Sequence, residues 1–328
     1  MHVSTPWPAE WAPPPNLDEN TRLDGEEYHR ALYHDGDPAR PRGWHRDNTA
    51  KLIELARPAF EPGAIGLDYA SGTGGSGIPL CAESKARELD LQLAFTDVMP
   101  SWFQTAHRLL SPQAGTHFFL IDLRAERPIL DLFGESRFDF VVSASTIHLL
   151  PPKKLEEIFT ELFGTLRPGG TLVFNTGDLE SPARSEAKAA LLHDIYRRTR
   201  DLIRDDEDYA RILDAIEDEP ALKQIHRGHQ VFPDPVPQAD VLAAIEKAGF
   251  VRESVEDHVI EKSRSDAEDF IRVRRLTSIA AALPTLEARR ELIDRHFDAA
   301  WNQLIEAGEA DAERVRTFWT FGVYRKPE

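Results

Sequence analysis

The chain has 328 residues, 41% of them apolar, enough for one large α/β domain with additions or for two modest domains. Its 39 basic residues stand against 56 acidic ones, and the resulting net charge of −17 repels a phosphate backbone or an anionic membrane surface, so neither nucleic acid nor a membrane is an expected partner. A single cysteine, Cys81, excludes an intrachain disulfide; the start lacks a basic stretch followed by an apolar run, and no segment approaches the roughly 20 apolar residues of a membrane span, so the expected location is cytoplasmic.

Residues 1–20 carry many prolines without a helical or strand period and read as an extended or disordered arm. Residues 21–60 read as a helical preface. Tyr28, His29, Tyr33, His34, Trp44 and His45 are interleaved with charges, and Asn48 to Ala56 offers Leu52, Ile53 and Leu55 to a core.

From Ala64 to Phe174 short apolar strands alternate with amphipathic helices, which calls for a parallel sheet covered on both faces. The expected strands are Ala64 to Tyr69, Leu91 to Thr96, Thr116 to Ile121, Phe138 to Ser143 and Thr171 to Asn175. A helix is expected from Lys153 to Arg167, entered through Pro151 and Pro152 and left through Pro168, Gly169 and Gly170, with Leu155, Ile158, Phe159, Leu162, Phe163 and Leu166 on one stripe.

After Asp178 the pattern favours longer helices, from Ser185 to Arg204 and from Asp206 to Ile216. A proline-broken loop at Phe232 to Pro237 leads to a helix ending at Gly249. Arg197, Arg198 and Arg200 cluster here, but Asp201, Asp205, Asp206 and Glu207 follow at once, as on a solvated helix face. A strand is expected at Phe250 to Ile260, a capping box at Ser265 to Glu268, an amphipathic helix from Leu286 to Ala307 and a last strand at Thr317 to Tyr324.

The densest chemical signal is the run from Ile65 to Gly77, where a strand enters a glycine loop that opens a helix. Glycines there let the backbone approach a ligand and present amides near a helix N-terminus. Gly72, Gly74 and Gly77 have G-x-G-x-x-G spacing, and Asp97 lies 20 residues beyond Gly77, at the end of the second strand, where an acid can bind ribose hydroxyls. That much suits a nicotinamide dinucleotide equally well. Asp68, four residues before Gly72, is badly placed beside a pyrophosphate and well placed beside a cationic amino group. Asp122, followed by Leu123, ends the third strand, where it can offer an acceptor to an adenine amine and a wall to its ring.

With the later segments Phe138 to Val142 and Leu166 to Phe174, including the turn Leu166-Arg167-Pro168-Gly169-Gly170, these motifs resemble the class I S-adenosylmethionine-dependent methyltransferases of small-molecule type. The resemblance covers residues 60 to 176 well, and Val231 to Ile260 and the final strand more loosely. It implies a Rossmann-like, seven-stranded, mostly parallel sheet with an antiparallel last strand and helices on both faces. It also implies one domain over residues 61–328, with helical insertions at about 178–230 and 261–316 that form a lid or cap, thicken the domain or make a dimer contact.

S-adenosylmethionine is the implied cofactor and S-adenosylhomocysteine its product. Carried over to this chain, the methionyl part falls to Asp68, Ala70, Ser71, Gly72 and Gly74, the ribose to Asp97, and the adenine to Val98, Met99, Asp122 and Leu123, with Ser143 completing the set. Ser71 departs from the cysteine often found there but keeps a small side chain.

The resemblance also turns the loop after the fourth strand towards the transferable methyl, which makes His148 the candidate general base. Tyr28, Tyr33 and His34 join His148 as substrate-binding candidates, since an N-terminal helix can close over the cofactor and aromatic faces attract a sulfonium. His226 and His229 have i, i+3 spacing but no carboxylate or thiol partner at an obvious spacing, and no metal is expected. The function expected is in-line methyl transfer to a small molecule, of secondary-metabolite type, in a monomer or homodimer. The alternatives are an NAD(P)-dependent oxidoreductase, and a protein that binds S-adenosylmethionine while catalysing a different reaction.

Overall fold

The computed structural model describes residues 6–15, 18–33, 43–228 and 231–328. Seven strands form one sheet: β1 (Ile65–Asp68), β2 (Gln92–Asp97), β3 (Thr116–Leu120), β4 (Phe138–Ala144), β5 (Leu166–Thr176), β6 (Val251–Ser263) and β7 (Arg314–Arg325). Their spatial order is 3-2-1-4-5-7-6, with β1 to β5 parallel and β7 antiparallel to both β5 and β6. The order reverses between β1 and β4. The C-terminal ends of these two strands diverge there, and open α/β sheets bind ligands in the crevice this leaves.

The expected seven-stranded architecture is thus the observed one. Thirteen α-helices are assigned among the described residues: α1 (Glu19–Tyr33), α2 (Arg46–Ala56), α3 (Gly77–Ala86), α4 (Pro100–Leu110), α5 (Pro128–Phe133), α6 (Leu155–Thr165), α7 (Pro182–Ala187), α8 (Asp194–Arg204), α9 (Glu207–Asp214), α10 (Glu219–Gly228), α11 (Gln238–Lys247), α12 (Arg264–Ile271) and α13 (Leu286–Glu306). None is long and apolar enough to cross a membrane.

Alternation along the central strands divides their side chains between two cores. Phe95, Phe118, Phe140, Val142 and Val173 face a core with residues of α2, α3 and α4, which continues into α8, α12 and α13. Phe119, Phe138, Val141 and Phe174 face a second core with α5, α6 and α11. Both faces of the parallel strands are therefore covered, as parallel sheets require.

Three boundaries differ from the expected ones. The helix expected over Ser185 to Arg204 is two helices: Lys188 is left-handed (φ 48°), and the buried stretch beyond it pairs with β7 through Ala190, whose N–H donates to Arg316 O (2.8 Å) and whose O accepts from Phe318 N–H (2.9 Å). The helix expected over Lys153 to Arg167 stops at Thr165, because Leu166 already pairs with Phe138 as the start of β5. The cap of α12 is Ser263, which accepts from Asp266 N–H at 3.0 Å, two residues earlier than the expected box.

The N-terminal arm runs along the β3 edge. Trp7 packs on His117 and Phe119 with the Arg137 guanidinium 4.0 Å over its ring, and Trp11 N–H donates to Phe118 O at 2.7 Å. Aromatic area, rather than a ladder of backbone hydrogen bonds, holds this segment.

Candidate functional site

A cavity of about 490 Å³ lies above the C-terminal ends of β1, β2 and β4. Its floor is the turn after β1, with Tyr69, Ala70, Ser71, Gly72 and Thr73. Asp97, Val98 and Met99 supply the wall after β2, Ile121 and Leu123 that after β3, and Ala144, Ser145 and Thr146 that after β4. Tyr28, Leu32 and Tyr33 of α1 and His45 before α2 close the remaining side.

Two residues around the cavity, one in its floor and one in the wall after β4, carry backbone strain. Ala70 and Ser145 both hold left-handed conformations (φ 57° and 54°), which cost energy for a residue with a Cβ and persist where the surroundings fix them. Ser145 is fixed by its N–H donating to Asn175 Oδ1 (2.8 Å), and Ser71 by its N–H donating to Thr96 O (2.8 Å). Gly72 and Gly74, at φ 56° and 88°, take the loop through the same region without that penalty.

Asp97 organises the loop from β2. Gly72 N–H donates to its Oδ2 (2.8 Å) and Met99 N–H to its Oδ1 (2.7 Å), and the carboxylate keeps acceptor capacity for a hydroxyl in the cavity. Burial raises its pKa, against these backbone donors. Asp68 lies beneath the loop at 1% exposure. Ser76 Oγ donates to its Oδ2 at 2.7 Å, while Oδ1 is buried without a partner. Burial pushes this carboxyl up to about 7, with Ser76 pulling it down and Asp97 pushing it further up.

Helix α1 is fastened over the loop. His29 Nδ1 and Thr73 Oγ1 are hydrogen-bonded at 2.9 Å, and the Tyr33 ring lies so close to Gly75 that a Cβ there would collide with it. Tyr28 stacks on Trp102 of α4 with ring centroids 4.2 Å apart, the Arg275 guanidinium lies 4.8 Å from the centroid of the Trp102 ring, and Trp102 Nε1 donates to Asp24 Oδ2 at 3.3 Å.

Of the residues singled out from sequence, the cavity brings together Ala70, Ser71, Gly72, Asp97, Val98, Met99, Leu123, Tyr28 and Tyr33. Asp68, Gly74 and Ser143 lie beneath or beside the wall. Asp122 is turned outward and paired with Arg124 (2.7 Å), whose hydrogen bonds hold its carboxyl down at about 2. His34 lies outside the described residues, as does His229.

His148 is 4% exposed and does not line the cavity. The short helical turn Ile147–Leu149 directs its ring towards β5, where Nδ1 and Thr176 Oγ1 are hydrogen-bonded at 2.9 Å. Burial lowers its pKa to about 3. His148 belongs to a buried polar group with Asp178 and His193, whose ligand-capable atoms lie within 4.8 Å of one another.

The Asp178 oxygens are already engaged. Oδ2 meets His193 Nδ1 and Arg197 Nη2, both at 2.6 Å, and Oδ1 meets His193 N–H at 3.0 Å and Arg197 Nη1 at 3.3 Å. Burial alone would raise the Asp178 carboxyl, but His193 and Arg197 together bring it far below its ordinary value. A cation entering here would have to displace the guanidinium, so the geometry is that of a buried ion pair joining α8 to the end of β5.

Sequence reasoning missed His45, Trp102, Ser145 and Thr146 as lining residues. Nothing in the spacing of the preface separates His45 from its aromatic neighbours; the contact between α1 and α2 does so.

Residues 67–170 match the family described as "Methyltransferase domain". Among curated proteins, the chain is 28% identical over 99 residues to Probable polyketide synthase 26 of Dictyostelium discoideum, covering 30% of this chain and 4% of that one. It is 28% identical over 128 residues to highly reducing polyketide synthase Preu5 of Preussia isomera, covering 38% and 5%. The chain thus matches about one-twentieth of the length of these relatives.

Among solved structures, phosphoethanolamine N-methyltransferase 2 of Haemonchus contortus with S-adenosyl-L-methionine superposes with a TM-score of 0.54 at 15% identity, covering 95% of this chain and 59% of that one. The YcgJ protein of Bacillus subtilis gives 0.52 at 12%, covering 87% and 100%. Strand order, glycine loop and family match agree, and the chain carries a methyltransferase domain of the class I S-adenosylmethionine-dependent fold.

Proposed function

We propose that the chain transfers the methyl group of S-adenosylmethionine to a small molecule enclosed between α1, α2 and the ends of β1 and β4. The observation that carries this reading is Asp68: a buried carboxylate oxygen with no partner, under a glycine loop, matches a ligand that brings its own cationic amino group. Asp97 has lone pairs to spare for ribose hydroxyls, and Val98, Met99, Ile121 and Leu123 offer the apolar walls an adenine needs. Asp122 takes part in adenine binding only by giving up Arg124. Bound S-adenosylmethionine would supply an electrophilic methyl group; the chain's own contribution is to hold the reacting atoms in line and keep water out.

The apolar lining, with Leu32, Trp102, Ile129, Leu149 and Ile158, supports an acceptor that is partly apolar, and the matched segments of polyketide synthases point the same way, to a natural-product-like molecule. Incubating the protein with methyl-labelled S-adenosylmethionine and a fractionated metabolite extract tests this. Label in the low-molecular-weight fraction is expected; label only in protein or nucleic acid, or none, contradicts it.

A further inference from the structure

The cavity runs on past the cofactor's ribose site. From the glycine loop under α1 it passes Asp97, then Val98, Ile121 and Leu123, and continues between α5 and α6, where Pro128, Ile129, Leu150 and Ile158 line it. Two polar side chains stand among these apolar ones, Tyr69 after β1 and Glu161 of α6, and both are buried, at 8% and 7% exposure. Glu161 is fixed in place. Its Oε2 accepts from Ile129 N–H at 2.8 Å and from Leu130 N–H at 3.2 Å, so the carboxylate cannot turn without stranding two backbone donors. Its Oε1 takes no partner from the described residues and, unlike Asp68 Oδ1, is not sealed inside the protein.

The nearby cations are engaged elsewhere: Lys154 pairs with Glu157 and Arg127 with Asp131, and among the described residues no lysine or arginine stands at ion-pair distance from Glu161. Burial raises the Tyr69 hydroxyl above its ordinary range, with Glu161 and Asp97 adding to the rise, so it remains a neutral O–H. A ligand that lays its amino group at the glycine loop and its ribose at Asp97 has its base left to place, and the cavity continues away from α1. A purine offers flat apolar faces to Val98, Ile121 and Leu123, and on its edge an amine donor beside a ring-nitrogen acceptor. One fixed carboxylate oxygen and one hydroxyl match that edge. Asp122, held by Arg124, and Glu126 are both exposed, so water competes with the amine at either.

We propose that Glu161 selects the base of the cofactor, its Oε1 accepting from the exocyclic amine of adenine while Tyr69 O–H donates to a neighbouring ring nitrogen. This rests on the methyl-transfer reading and moves base recognition from Asp122, at the end of β3, to α6. The carboxylate is held by α5, so recognition of the base depends on the seating of α5 against α6 rather than on the exposed turn after β3. A base with an oxygen in place of the amine sets acceptor against acceptor at Glu161 and is rejected.

Calorimetric titration of the intact protein with S-adenosylhomocysteine and with S-inosylhomocysteine, which carries oxygen in place of the amine, tests this. The parent should bind the adenosyl compound at least about tenfold more tightly. In Glu161→Gln the amide oxygen is claimed by Ile129 and Leu130 N–H, which turns the amide NH2 towards the base. The ratio of the two affinities should then fall by about tenfold, with S-inosylhomocysteine gaining as S-adenosylhomocysteine loses, a pattern that unfolding cannot imitate. Asp122→Asn and Glu126→Gln should keep the parent's ratio. In the unaltered protein, the purine analogue of S-adenosylhomocysteine that lacks the amine should bind about tenfold more weakly. A ratio that Glu161→Gln leaves in place, one that Asp122→Asn or Glu126→Gln moves instead, or equal binding of the purine analogue would overturn the proposal. Absence of S-adenosylhomocysteine binding by the parent protein would instead overturn the reading on which it rests.

Discussion

Ser76 Oγ donates to Asp68 Oδ2 at 2.7 Å and leaves Asp68 Oδ1 buried with no partner. One carboxylate thus carries both an internal clasp and an open acceptor, eight residues apart in sequence from the serine and at the foot of the cavity floor. Burial raises this carboxyl to about 7 against the 3.8 of an unperturbed aspartate, with Ser76 opposing and Asp97 adding to the rise.

The sign of the pH effect follows. A raised carboxyl favours the protonated folded state, so its contribution to stability is complete below 3.8 and is lost as pH rises through about 7. A cationic ligand favours the ionised form. S-adenosylhomocysteine should therefore bind roughly eightfold tighter at about pH 7.5 than at about pH 6, as calorimetry at the two values will read. Asp68→Asn should abolish that dependence and weaken binding, while raising ligand-free stability above neutral pH by about 1 kcal/mol or more, measured by denaturant titration.

Asp97→Ala removes the acceptor of both Gly72 N–H and Met99 N–H, so the glycine loop and the turn after β2 lose their common anchor. Affinity for S-adenosylhomocysteine should fall by about 100-fold, the scale of two hydrogen bonds to a charged group, with far-ultraviolet dichroism unchanged.

Asp178 is the centre of a buried ion pair, and stability is the property it governs. Asp178→Asn should destabilise the fold by about 3 kcal/mol, because Arg197 is left buried without its counter-charge. Treatment with a chelator should leave the thermal midpoint where it was; a fall on chelation would turn the group of His148, Asp178 and His193 into a metal centre.

Gly75 leaves room for the Tyr33 ring, and no other residue can stand there while α1 keeps its seat. Gly75→Ala should cost about 1 to 3 kcal/mol through overpacking and should expose α1 to limited proteolysis; paired with Tyr33→Ala, most of that cost should disappear.

Much of this architecture was legible in the sequence because it is local. Strand periodicity located all seven strands to within a few residues, and the run from Asp68 to Gly77 announced the loop between strand and helix. Side-chain pairings, and contacts distant in sequence, were not legible. Asp122 reads as a cavity residue until Arg124, two positions on, is seen to hold it outward. His148 reads as facing the cavity until Thr176 fixes its ring towards β5. His45 acquires its position from Leu32 O, and the split between α7 and α8 comes from the pairing of Ala190 with β7, which no helical period encodes.

Calorimetric titration with S-adenosylhomocysteine, alongside NAD and NADP and with Asp97→Ala as control, tests the central claim most directly. Micromolar binding of S-adenosylhomocysteine that the substitution weakens about 100-fold is expected, with no heat from either dinucleotide. Binding of a nicotinamide dinucleotide alone, or S-adenosylhomocysteine binding indifferent to Asp97, would contradict it.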